Sequence, residues 1–279
     1  MKGKTVVITG ATSGIGAVAA EELARMGARI VAVARSPFRA EALMGRLAIV
    51  NAEAKHAVHI ADLSTLAGMK RVAGEIAAAE PKIDVLINNA GAVFSTRETT
   101  AEGFEATFAT NHLAYFVLTN LLLDRLKAAS GARIVSVASN AHRSGKLDFN
   151  DLQAEKGFLG FRVYGTSKLC NILFTRELAR RLEGTGVTAN CLHPGFVATR
   201  FADNNDGVMG WFFGLAKKLA ALTPEEGART IIYLASSPEV AGKSGGYYHK
   251  CALATPTAAA QNDEDARRLW DVSAKLAGL

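Results

Sequence analysis

Three side chains suited to proton transfer lie between Ser139 and Asn171. Ser139 is followed, after 24 residues, by Tyr164 and then by Lys168 four positions later. Residues four apart share one face of a helix, so we expect the tyrosine and the lysine to meet. An ammonium beside a phenol favours the phenolate and lowers its pKa from about 10. Such a phenol, helped by a hydroxyl that hydrogen-bonds the reacting oxygen, can interconvert a carbonyl and an alcohol.

A glycine-rich segment near the N-terminus can hold a phosphate. Gly10, Gly14 and Gly16 separate a predicted strand from a predicted helix, in the spacing GxxxGxG. Glycine allows a sharp turn and a close approach of the backbone, and the helix start offers N–H groups and the positive end of a dipole. This pattern predicts a nicotinamide dinucleotide, which would supply the hydride that carbonyl reduction needs.

The end of the second predicted strand indicates which dinucleotide is bound. Many NAD-binding folds place an acid there for the ribose 2′-hydroxyl, whereas this chain has Ala34 followed by Arg35. A guanidinium can instead bind a 2′-phosphate through charge-assisted hydrogen bonds. Arg35, assisted by Arg39, therefore predicts NADP(H), with NAD(H) as the less favoured alternative. Ser13 gives no second basic group at the glycine-rich turn.

Further polar groups follow other predicted strands. Asp62 and Leu63 come after the third strand, and the fourth runs into the sequence NNAG, Asn88 to Gly91. Ligands of parallel sheets bind at the carboxyl ends of the strands, so these residues are expected to shape the cofactor site. Pro194 and Gly195 turn the chain after the sixth strand, and we interpret the preceding His193 as structural rather than as a base.

These groups need a scaffold, and the pattern of the chain predicts one. Short β-branched runs alternate with alanine-rich amphipathic segments, which is typical of a Rossmann-type, doubly wound parallel sheet in the α/β class. Ser64 is predicted to cap the third helix, and Thr223 precedes a first turn that contains proline and acids. The predicted strands are Thr5–Thr9, Arg29–Val33, Ala57–Ile60, Val85–Ile87, Arg133–Val137 and Val187–Leu192, and the predicted helices are Ile15–Met26, Arg39–Asn51, Leu66–Ala79, Phe104–Ala128 and Leu169–Leu182.

Composition excludes several classes of protein. The chain has 279 residues, of which 49% are hydrophobic, and no linker or repeat, so one globular domain spanning 1–279 is predicted. The net charge of +6 comes from scattered side chains, which argues against nucleic-acid binding. The three cysteines form no CxxC or Cys/His cluster, so no metal site is predicted. With a strand at its start and no membrane-length apolar run, the chain is expected to be cytoplasmic, without stable membrane insertion.

Taken together, these motifs resemble the short-chain dehydrogenase/reductase family over essentially the whole chain. The resemblance is carried by TGATSGIG, NNAG, Asn111, Ser139 and YGTSK, which occur in the order typical of the family. It implies that Ser139, Tyr164, Lys168 and Asn111 are catalytic, that Asn111 holds a water in the proton path, and that Lys168 also binds the nicotinamide ribose. It further implies that Thr199 binds the nicotinamide carboxamide. The full predicted cofactor set is Gly10, Thr12, Ser13, Gly14, Ile15, Gly16, Arg35, Asp62, Leu63, Asn89, Ala90, Gly91, Lys168, Pro194, Gly195, Val197 and Thr199.

The residues between Ser139 and Tyr164 and the C-terminal part resemble the retinol dehydrogenase-like branch of this family. Residues 140–163 are predicted to form one wall of a substrate pocket, or alternatively a passive surface loop. Residues from about 200 to 222 are apolar on one side and predict a helical lid over a lipophilic substrate, with a core helix or a membrane-surface helix as alternatives. A C-terminal extension covers about 249–279. It can block one of the surfaces through which family members form dimers, so a homodimer stays an open alternative.

The predicted function is therefore an NADP(H)-dependent oxidoreductase that acts on an apolar aldehyde, ketone or alcohol. Two alternatives stay open. Related protochlorophyllide reductases share this site chemistry, which makes a C=C reductase the first alternative. The second is a nucleotide-sensing protein without catalysis, which is disfavoured because both Tyr164 and Lys168 are present.

Overall fold

A mostly parallel β-sheet forms the centre of the protein, whose computed structural model describes residues 1–195 and 222–279. Within these described residues, the order of the strands in the sheet is β3-β2-β1-β4-β5-β6-β7-β8, and β8 alone runs antiparallel to its neighbour. β1 and β4 are parallel neighbours, and successive strands are added outward on opposite sides of this pair, so the carboxyl ends of β1 and β4 flank a crevice. The strands are β1 Thr5–Thr9, β2 Arg29–Ala34, β3 Ala57–Ile60, β4 Val85–Asn88, β5 Arg133–Val137, β6 Thr188–Leu192, β7 Tyr247–His249 and β8 Ala252–Leu253.

Helices cover both faces of the sheet, because the side chains of each strand alternate between two apolar layers. In β1, Val6 and Ile8 belong to one buried cluster and Val7 to the other. This confirms the predicted single-domain, doubly wound fold, and each predicted strand matches an observed strand to within one residue at each end. The helices are α1 Gly14–Arg25, α2 Pro37–Asn51, α3 Leu66–Ala79, α4 Ala114–Leu121, α5 Leu123–Lys127, α6 Gly160–Arg181, α7 Pro224–Ser236 and α8 Asp263–Ala277.

The single helix predicted over Phe104–Ala128 is wrong in detail. A short turn, Ala106–Phe108, leads into a π-helical segment, Ala109–Leu113, before α4 and α5. The wider turn brings the Asn111 side chain to backbone and side-chain partners outside its own helix. Such π-helical turns are rare and are found mostly at functional sites.

Helix starts depend on local capping. Thr65, and not the predicted Ser64, caps α3 by accepting a hydrogen bond from the Gly68 amide at 3.1 Å, because Ser64 is bound to the Asp62 carboxylate. Thr223 caps α7 in a capping box with Glu226, and the proline and acids lie in the first turn, as the sequence predicts. α6 begins nine residues before the predicted segment, at Gly160, so Tyr164 and Lys168 both lie on it.

The C-terminal helix α8 packs against α6 and α4. Trp270 stacks on Phe174 of α6, with ring centroids 5.8 Å apart, and meets the edge of Phe116 of α4 at 4.9 Å. The guanidinium of Arg181 lies 4.4 Å from the Trp270 ring. Across residues 1–195 and 222–279, no helix combines the length and the apolar character that crossing a membrane requires.

Candidate active site

The glycine-rich turn after β1 has a shape that only glycine can adopt. Gly10 and Gly14 have φ values of +67° and +55°, in the left-handed region. A Cβ on Gly10 would stand 2.9 Å from the Cα of Ala90, and one on Gly16 would collide with the Gly10 carbonyl and the Asn89 amide. The turn is therefore pressed against the end of β4.

Asn89 fixes this turn from the neighbouring strand. Its side-chain amide donates to the carbonyls of Thr9 and Gly10, at 2.9 and 3.1 Å. In return, the Thr9 hydroxyl accepts hydrogen bonds from the backbone amides of Asn89 and Ala90, at 3.0 and 2.9 Å. Asn89 thus shapes the turn, and Thr9 is a partner that the sequence reasoning missed.

The N-terminus of α1 leaves donors available at this crevice. Ser13, the residue before α1, makes no capping hydrogen bond with its side chain, and the first turn contains no acid. The first N–H groups of α1 can therefore bind an anion. Together with the side-chain-free face of Gly10, this arrangement fits the pyrophosphate of a dinucleotide. Thr12 and Ile15 are partly exposed beside it.

The two basic residues predicted to bind the 2′-phosphate of the cofactor are accessible to solvent. Arg35 and Arg39 are both exposed, and neither forms an ion pair with any group in the parts of the chain that are described. Asp62 at the end of β3 is exposed and accepts from the Ser64 amide, whereas Leu63 is buried. Arg35 directly follows β2, where a 2′-phosphate would be recognised, and Arg39 lies in the first turn of α2.

Close packing brings Ser139 to Tyr164. Ser139 begins a 3₁₀ turn, Asn140–Ser144, that lies on the first part of α6. Two glycines allow this contact: a Cβ on Gly165 would stand 2.5 Å from the Ala141 carbonyl, and one on Gly145 would stand 2.6 Å from the Gly165 carbonyl. Across this contact the Ser139 side chain lies near enough to Tyr164 to lower the pKa of the phenol. Residues 140–163, which include several glycines, therefore fold back so that Ser139 and Tyr164 lie close together.

Burial dominates the ionisation of the tyrosine and the lysine. It raises the pKa of Tyr164 to about 12, and the hydrogen bond from Ser139 opposes the rise. Tyr164 keeps part of its surface exposed, so water limits this effect. Burial also lowers the pKa of Lys168 to about 7. The loss of hydration thus raises the tyrosine pKa, in the direction opposite to the lowering expected from Lys168.

Lys168 is held in a nearly dry environment. Only 2% of its surface is exposed, and Nζ donates to the Val137 carbonyl at 3.0 Å. The ammonium stands 5.6 Å from the ring centres of both Tyr164 and Tyr115. Tyr115 was missed by the sequence reasoning, although it lies one turn after Asn111. A Cβ on Gly91 would stand 3.4 Å from Nζ, so glycine leaves room for this lysine.

Asn111 connects the loop after β4 to α6. Its side chain accepts from the Ala92 amide at 2.8 Å and donates to the Ala92 carbonyl at 2.9 Å. The same amide group donates to the Ser167 hydroxyl at 2.9 Å, which in turn donates to the Tyr164 carbonyl at 2.7 Å. Asn111 therefore braces the helical turn that carries the candidate tyrosine.

The segment after β6 turns at the position that the sequence indicates. Gly195 has a φ of +88°, and its amide donates to Nδ1 of His193 at 3.3 Å. His193 stacks on His249, with ring centres 3.8 Å apart, and burial lowers its pKa to about 4. These contacts favour a structural role for His193. The predicted cofactor residues Val197 and Thr199, and the predicted lid up to residue 221, lie outside the described residues.

Apolar surface lies close to Tyr164 in the predicted substrate wall. Leu159 and Phe161, at the start of α6, are 66% and 46% exposed, and the Phe161 ring lies 6.5 Å from that of Tyr164. The loop before them is anchored, because the Lys146 amide donates to the Thr166 hydroxyl at 3.1 Å. Exposed apolar side chains beside a reactive phenol suit a lipophilic ligand.

Comparisons with known proteins agree with this arrangement. Residues 4–208 match the family model described as short chain dehydrogenase. The chain is 43% identical to retinol dehydrogenase 14 of Homo sapiens, over all of this chain and 88% of that protein. An uncharacterized protein from Mycobacterium Paratuberculosis has a similar structure, with a TM-score of 0.81 and 33% identity over 99% of this chain and 94% of that one. RhlG of Pseudomonas aeruginosa, solved in an active-site complex with NADP, gives a TM-score of 0.70 and 26% identity over 88% of this chain and 94% of that one. The chain therefore belongs to the short chain dehydrogenase family, as an oxidoreductase similar to the retinol dehydrogenases.

Proposed function

We propose that this protein transfers hydride between NADP(H) and an apolar aldehyde, ketone or alcohol, with Tyr164 as the acid/base. The observation that carries the proposal is the packing of the turn that begins at Ser139 against the Tyr164 segment of α6, beside the buried Lys168. A bound nicotinamide would supply the hydride and, when oxidised, a positive charge next to the phenol.

The protein's own residues account for the proton. In reduction, the Tyr164 hydroxyl donates its proton to the substrate oxygen while Ser139 donates a hydrogen bond to the same atom. Burial keeps the Tyr164 phenol protonated at neutral pH, which is the form that reduction needs. In oxidation, the phenolate accepts the proton, and the Lys168 ammonium stabilises the negative charge.

Residues at one end of the site support the choice of cofactor, and residues at the other end support the class of substrate. Arg35 is exposed at the end of β2 where no acid is present, which favours a 2′-phosphate and so NADP(H). The similarity to retinol dehydrogenases and the exposed Leu159 and Phe161 support a lipophilic substrate.

Replacement of one hydroxyl tests the proposal. Tyr164→Phe is expected to lower kcat for NADPH oxidation with apolar aldehydes by about 10²–10⁴-fold, since the proton donor is lost. NADPH affinity, measured by fluorescence, should change little. The matched control is Tyr233→Phe on α7, which removes a hydroxyl that donates to Glu239. If Tyr164→Phe turns over like this control, Tyr164 is not the acid/base. Product analysis with an enone separates carbonyl reduction from C=C reduction.

A further inference from the structure

A second buried donor shares the carbonyl that holds Lys168. The Val137 oxygen accepts from Lys168 Nζ at 3.0 Å and from the Asn171 side-chain amide at 3.5 Å. Asn171 lies on α6 three residues after Lys168 and is fully buried. A carbonyl oxygen has two lone pairs. When the Asn171 side-chain N–H points at the Val137 oxygen, it occupies one lone pair, and the other is left for the Lys168 ammonium.

A buried histidine lies on the other side of this asparagine. His112, next to Asn111 in the π-helical segment, places Nε2 at 2.8 Å from the Ser273 hydroxyl of α8. Burial lowers the pKa of His112 to about 4, and the Asn171 side chain opposes this change. The imidazole is therefore neutral at physiological pH, with one N–H donor and one acceptor nitrogen.

Two orphaned atoms indicate how the remaining groups pair. Nδ1 of His112 and Oδ1 of Asn171 are buried and lack a hydrogen-bond partner among the described residues. A donor on Nδ1 satisfies both atoms, since Oδ1 can only accept. Nε2 then accepts from the Ser273 hydroxyl. A flipped Asn171 amide would instead point Oδ1 at the Val137 oxygen, which sets two acceptors against each other.

We propose that Asn171 is a positioning residue for Lys168, and that Ser273 and His112 fix its amide through this single arrangement of protons. The chain of contacts runs from Ser273 to His112, then through the pairing of the two orphaned atoms to Asn171, and from its amide to the Val137 carbonyl and the ammonium. It makes α8, which follows the part matched by the family model, a determinant of the reaction centre. The inference rests on the proposed function only in that Lys168 acts in catalysis.

Ser273→Ala tests the chain at the end most distant from the chemistry. Nitrogen NMR of the His112 ring should show the Nδ1–H tautomer in the wild type and a mixture of tautomers in Ser273→Ala. The Lys168 Nζ signal should shift in the same variant. We expect kcat to fall about five- to tenfold, as for one lost hydrogen bond, with the KM for NADPH within twofold of wild type. Ser273→Thr keeps the hydroxyl and should restore all three readouts.

Asn171→Leu removes the amide itself and should lower kcat by about 10²-fold, because small displacements of reacting groups are costly. Leu269→Val, one turn earlier on α8, is the control for weakened packing and should leave the tautomer and kcat near wild type. The proposal is overturned if the wild-type His112 ring carries its proton on Nε2. It is also overturned if Ser273→Ala leaves the Lys168 signal unshifted, or if the kcat of Ser273→Ala stays within twofold of wild type. A wild type that turns over no carbonyl or alcohol refutes the proposed function instead, and the two NMR readouts then still decide the chain of contacts.

Discussion

Gly165→Ala should lower kcat without weakening the binding of NADPH. The added Cβ would stand 2.5 Å from the Ala141 carbonyl oxygen and 2.6 Å from the Ser144 hydroxyl. Carbon and oxygen atoms approach to about 3.3 Å, so the turn that begins at Ser139 must retreat by about 0.8 Å. Misplacement by about 1 Å can cost 10²-fold in rate, so we expect kcat to fall about 30- to 100-fold.

The assay is steady-state NADPH oxidation with an apolar aldehyde, accompanied by a titration of NADPH binding. The nucleotide crevice lies around Gly10 and Asn89, which do not contact Gly165, so the Kd for NADPH should stay within twofold of wild type. Alanine also favours a helix over glycine by about 1 kcal/mol, so lost helix stability would not explain a slower reaction.

Gly45→Ala in α2 provides the matched control. It makes the same change within a helix, but no atom lies within 4 Å of the added Cβ. The control should keep wild-type kcat. If Gly165→Ala matches it, then the contact between the 3₁₀ turn and α6 does not set the position of Ser139, and the account of this site is wrong.

Three other predictions address the two ends of the site and its charge. Arg35→Ala should lower the preference for NADP(H) over NAD(H) in kcat/KM by about tenfold or more, as expected when a charge-assisted bond is lost, and an unchanged preference relative to the control Arg25→Ala contradicts the NADP(H) assignment. Burial lowers the pKa of Lys168 to about 7, so between about pH 7 and 10.5 the unfolded chain binds more protons than the native one. The free energy of unfolding of the wild type should therefore rise through this window relative to that of Lys168→Met, and urea titrations that show a constant difference refute the lowered pKa of Lys168. Phe161→Ser, next to Leu159, should raise the KM of long-chain aldehydes but not of short ones; equal effects on both argue against an apolar wall.

Much of the site could be predicted because it follows from local rules. Gly10 and Asn89 come directly after buried strands, and Pro194 follows β6 after one intervening residue; a parallel sheet brings such positions to one edge. The helical spacing of Tyr164 and Lys168 likewise fixes their common face. These inferences need only the period of each element and the order of the strands.

The rest depends on contacts between distant parts of the chain. Ser273 and His112 are 161 residues apart, and neither carries a sequence signal for the other. The π-helical turn around Asn111 occurs inside an otherwise helical pattern, so periodicity predicts a continuous helix. The ionisation of Tyr164 and Lys168 depends on lost hydration, which is a property of the packed structure and not of their spacing.

The hydrogen bonds that join Thr9 and Gly10 to Asn89 and Ala90 have a thermodynamic consequence. Because four such bonds already hold the turn after β1, its conformational entropy is lost when the chain folds, and not when a ligand arrives. Calorimetry of dinucleotide association should then show little of the unfavourable entropy that accompanies the ordering of a loop. Asn89→Ala would transfer that ordering step to association, and the entropy of binding would become less favourable.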